Sequence, residues 1–123
     1  MTPGISSIGQ IALPVLDLPR AIAFYRDVLG LRFLFEANKM AFFDCGGLRL
    51  MLNGFETSTP THGSIVYYKT ADIQAAAASI TEHGIALEAA PHFVAKMPDH
   101  DLWMAFLRDS EGNLVGLMSE VRH

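Results

Sequence analysis

The side chains best typed for proton transfer in this 123-residue chain are its five histidines. His100 leads them because Asp99 and Asp101 flank it. An imidazole titrates near neutral pH, and a neighbouring carboxylate can orient it, so His100 is the candidate general acid–base. His92 is the second candidate. Both lie in PHFVAKMPDH, which reads as a loop able to fold over a binding site. His62 and His123 read as solvated, and His83 as a partner of a helix dipole. Arg49 has two readings. A two-residue turn at Gly46-Gly47 sets it opposite Asp44, so it either pairs with that carboxylate or, if free, favours an anionic ligand such as a carboxylate. Cys45 reads as a structural thiol in a strand beside that turn. The chain has no Gly-rich phosphate loop, no Ser nucleophile elbow and no CxxC pair.

The elements that must hold these residues occur twice. GQIALPVLDLPRAIAFYRDVLGL, from Gly9, is echoed by GSIVYYKTADIQAAAASITEHGI, from Gly63. Gly9 matches Gly63, Ile11 matches Ile65, Ala21 matches Ala75 and Gly30 matches Gly84, at one constant offset. Each copy is an apolar run, an Asp at a helix start, a helical stretch and a Gly stop. Residues 8–15 predict a strand and 31–36 a second. Residues 40–45 and 48–53 flank Gly46-Gly47 as a hairpin of the primed-turn kind. GFETSTPTHG reads as a linker. Strands are expected over 63–69 and near 85–94, and a last hairpin over 101–109 and 113–119. The pattern is β-α-β-β-β twice, and ligands tend to sit in clefts between such copies. Module one is about 8–53, the linker 54–62 and module two 63–120.

Length predicts one domain, and 50% hydrophobic with 18% charged residues argues against disorder. No apolar run approaches the roughly 18 residues of a membrane span, and MTPGISSIGQ lacks the marks of a signal peptide. A single Cys fits a reducing cytoplasm. The net charge of −4, with scattered Lys and Arg, argues against a nucleic-acid surface.

Two stretches, IALPVLDLPRAIAFYRDVLGLRF and FLRDSEGNLVGLM, closely resemble the opening strand-helix and the final hairpin of the vicinal oxygen chelate superfamily. Its members include glyoxalase I, bleomycin-resistance proteins, fosfomycin-resistance enzymes and extradiol dioxygenases. The resemblance implies an α+β fold of two βαβββ modules, with a cup-shaped mixed β-sheet and flanking helices. It also implies a small-molecule ligand and a homodimer.

Metal-using relatives carry His, Gln or Glu on the first and last strands of each module. The matching positions here are Gln10, Met51, Ser64 and Gly116, the last because Gly47 aligns with Gly112 and the same offset carries Met51 to Gly116. A divalent Zn, Mn or Fe ion wants imidazole, carboxylate or thiolate donors. No metal and no cofactor is therefore expected. Strand alternation from these positions gives the expected ligand-binding residues: Gln10, Arg49, Met51, Ser64, Tyr68, Met104, Phe106, Gly116 and Met118. Gly116 should leave open space. The expected function is a metal-free small-molecule binding protein that sequesters or acts on an apolar or aromatic molecule. The alternative is a lyase, isomerase or dioxygenase-like enzyme that uses His100, or a metal bound by unrecognised ligands.

Overall fold

The computed structural model describes residues 3, 4, 7–54 and 65–123. The chain forms two compact units, Met1–Thr59 and Pro60–His123. In the first, β1 (Gln10–Pro14) leads to α1 (Leu18–Ala23), followed by β2 (Arg32–Ala37), β3 (Met40–Cys45) and β4 (Leu48–Asn53). The sheet order is β1-β4-β3-β2, with β1 parallel to β4.

Local chemistry explains the boundaries. The Asp17 carboxylate accepts from the Arg20 N–H at 3.1 Å and caps α1, with Pro in the first turn. The helix then widens into a π-helical turn over Phe24–Val28, where the Leu29 N–H donates to the Phe24 carbonyl at 3.1 Å. That turn buries the adjacent rings of Phe24 and Tyr25. Gly30, at φ +72°, stops the helix. Gly46 and Gly47, at φ +61° and +90°, form the primed turn that locks Asp44 opposite Arg49.

The second unit repeats the order: β5 (Val66–Lys69), α2 (Ile73–Glu82), β6 (Leu87–Lys96), β7 (His100–Arg108) and β8 (Leu114–Arg122). The sheet order is β5-β8-β7-β6, with β5 parallel to β8. Asp72 caps α2 by accepting from the Ala75 N–H at 3.1 Å. The loop expected over PHFVAKMPDH is instead mostly strand. Its first six residues complete β6, its last opens β7, and the Met97 N–H donates to the His100 carbonyl at 2.8 Å to close the turn. Two features make room for Pro91. β6 is an edge strand, and its register shifts between Ala89 and His92.

Each sheet has one face against its helix. In the first unit Ala41, Phe43, Leu50 and Leu52 face Ala21, Ile22 and Tyr25; in the second Ala105, Leu107, Val115 and Leu117 face Ile73, Ala77 and Ile80. The opposite faces carry Gln10, Arg49 and Met51 in the first unit and Met104, Phe106, Gly116 and Met118 in the second.

Candidate functional site

On the open face of the first unit, parallel pairing sets Gln10 beside Arg49 and Ala12 beside Met51. Phe42 lies across from Met51 on one side and Phe35 on the other. The Phe35 and Phe42 rings stack at 4.6 Å between centroids with 25° between planes. Asp44 and Arg49 are cross-strand partners, yet the Arg49 guanidinium sits over the Phe42 ring, 5.8 Å from its centroid. Among the described residues Arg49 makes no ion pair with Asp44, so the ion-pair reading of this register is replaced by a cation–π contact.

On the open face of the second unit, Gly116 pairs with Phe106 on one side and Tyr67 on the other. Met118 stands beside Met104, and His92 lies across from Met104 with its ring 6.4 Å from that of Phe106. Two expectations are corrected here. Tyr68 pairs with Leu117, so it lies on the helix-facing side and not on the side of Gly116. Gly116 does not leave open space: a Cβ there would meet Tyr67 Cδ2 at 2.5 Å and Cγ at 3.1 Å. The Tyr67 ring fills that volume and meets Phe106 edge-on at 5.8 Å. The reason for both corrections is one residue of register in β5, since a single step exchanges the two faces of a strand. Ser64 lies outside the described residues.

His100 sits at the far end of the same face, with its side chain 13% exposed. Its Nδ1 lies 2.6 Å from Asp99 Oδ1, and its Nε2 lies 3.9 Å from Glu120 Oε2. Arg122 also pairs with Asp99, and Lys69 donates to Glu120 at 3.0 Å. The hydrogen bond with His100 holds the Asp99 carboxyl below its usual range, and the field of Arg122 adds to this. The bond from Lys69 does the same for Glu120. Asp101 does not orient His100, because it takes the His123 imidazole at 2.9 Å. Burial, and secondarily Asp44, pushes the Cys45 thiol up.

The donors at the metal positions do not fit a hard or borderline divalent ion. Gln10 is a neutral amide beside the cationic Arg49, Met51 is a thioether, and Gly116 has no side chain and lies under an aromatic ring. Among the described residues, no three His, Cys, Asp or Glu side chains gather as a metal-holding group.

Residues 7–117 match the model of the glyoxalase/bleomycin resistance protein/dioxygenase superfamily. The chain therefore belongs to that superfamily, part of the vicinal oxygen chelate class its sequence resembles. Among curated proteins it is 43% identical over 49 residues to metallothiol transferase FosB of Lysinibacillus sphaericus, a match covering 40% of this chain and 35% of that protein. The chain thus spans about a third of the length of the curated relatives it matches. Among solved structures it is similar to a lactoylglutathione lyase from Agrobacterium tumefaciens, with TM-score 0.72 and 26% identity over 94% of this chain and 95% of that one. A protein from the mobile metagenome of V. Pseudocholerae shares the fold, with TM-score 0.79 and 20% identity over 97% and 98% of the two chains. No helix among the described residues is long and apolar enough to cross a membrane.

Sequence reasoning missed Tyr67, Phe35 and Phe42. The signal for Tyr67 lay two residues on. Lys69 must avoid the helix side of β5, and Tyr67 shares its face.

Proposed function

We propose that this chain binds an apolar or aromatic small molecule on its open sheet faces without the metal ion used by part of its superfamily, and sequesters it as a homodimer. The observation that carries this reading is the Tyr67 ring seated on Gly116. At the last-strand position where metal-using relatives place a donor, this chain offers an aromatic surface, continued by Phe106, Met104 and Met118. Thioethers and rings with few polar points make an adaptable apolar wall. Thermal-shift screening of aromatic compounds tests it. A ligand at 100 times its Kd adds about 2.7 kcal/mol to stability. The shift is expected to be equal in EDTA and in metal-supplemented buffer, and stabilisation that requires added metal would overturn the reading.

One observation favours a second reading, an enzyme of the same superfamily. His100 Nδ1 is held at 2.6 Å by Asp99, an arrangement that fixes an imidazole for proton transfer through Nε2. The name metallothiol transferase, borne by relatives matching 40% of the chain, points to catalysis as well. A His100→Ala variant that keeps ligand binding and loses turnover would select this reading.

A further inference from the structure

We propose that the row Phe35–Phe42–Arg49 selects a planar aromatic carboxylate. This rests on the small-molecule reading above and names the ligand class of the first unit's face.

The row crosses three neighbouring strands. Phe35 on β2 and Phe42 on β3 are register partners with stacked rings, and Arg49 on β4 reaches back over Phe42. Phe35 remains 48% exposed, so the stack presents a ring to solvent where a flat ligand can cover it. A cation–π contact uses none of the five N–H donors of the guanidinium. Among the described residues no carboxylate lies within ion-pair distance of Arg49, although Asp44 is its cross-strand partner. The planar donor fork therefore stays available beside the rings, and its geometry matches a carboxylate in two parallel hydrogen bonds. Charge points the same way. Arg32, Asp44 and Arg49 lie abreast on β2, β3 and β4, two cations around one anion, which leaves this end of the aromatic row net positive. An aromatic cation would be repelled there, and a neutral arene would leave the fork unused.

Titration calorimetry with 2-naphthoate and its neutral isostere 2-naphthamide tests the assignment on the full chain. The wild type is expected to bind the naphthoate at least about tenfold more tightly, the scale of one charge-assisted contact. Arg49→Gln, at an exposed position, should bring the two probes to within about twofold, and Phe35→Ala should weaken both. Equal binding of the two probes by the wild type, or a preference that survives Arg49→Gln, overturns the carboxylate assignment while leaving small-molecule binding intact. Failure of the wild type to bind either probe, when the thermal screen finds another aromatic ligand, overturns the carboxylate assignment alone, and failure to bind the probes and every aromatic compound in the screen overturns both.

Discussion

The ring of Tyr67 lies against the Cα of Gly116, close enough that a Cβ at 116 would come within 2.5 Å of it. The two residues are register partners on β5 and β8, so the contact is set by the sheet itself. A glycine is needed because the neighbouring ring occupies the side-chain volume.

Gly116→Ala should destabilise the chain by about 1–3 kcal/mol, the usual cost of forcing added atoms into filled space. In a Tyr67→Ala background the same substitution should cost under about 0.5 kcal/mol, so the double-mutant cycle shows coupling. Urea denaturation of the four proteins reads this. Additive effects would mean the ring swings away freely.

Acid should weaken the His100 end of β7. The folded-state pKa values of Asp99 and Glu120 both lie below their unfolded values. Their contribution to stability is therefore present above about pH 4.5 and is lost as pH falls through the depressed values. Asp99→Asn should lower Tm at pH 7, and its deficit against wild type should shrink steadily below about pH 4. Parallel Tm curves for the two proteins from neutral to acid would contradict this.

Cys45 should be a slow nucleophile. Burial, with Asp44 beside it, raises the thiol pKa, and the thiolate is the reactive form. Iodoacetamide at pH 7.5 should alkylate the native chain more slowly than free cysteine, unfolding should restore the rate, and Asp44→Asn should raise it modestly. A native rate equal to that of free cysteine would contradict the burial effect.

Much of the fold was legible because short-range chemistry dictated it. Asp17 and Asp72 mark both helix starts, and Gly46-Gly47 fixes a hairpin register down to the Asp44–Arg49 pair. What escaped was set by longer-range contacts. The consecutive tyrosines of VYYK give alternation no contrast, so the face of β5 rested on an inexact repeat. Pro91 and His92 at one end of PHFVAKMPDH, and Pro98 and Asp99 at the other, read as a loop, yet an edge strand with register shifts accommodates Pro91. The turn at Asn38-Lys39 carries φ +51° and +61° without glycine, so it lacks the signal that marks the β3–β4 and β7–β8 hairpins. The hairpin register sets Arg49 opposite a carboxylate, while the ring it covers is a diagonal neighbour that the sequence does not mark.

Metal stoichiometry distinguishes a ligand held by an ion from one held by rings and thioethers. Tag-free protein dialysed against Zn²⁺, Mn²⁺, Fe²⁺ or Ni²⁺, then against chelator-free buffer, is analysed by plasma mass spectrometry. Well under about 0.1 ion per chain is expected, because thioether, amide and glycine positions cannot hold such ions against water. About one ion per chain, lost on Gln10→Ala, would contradict it.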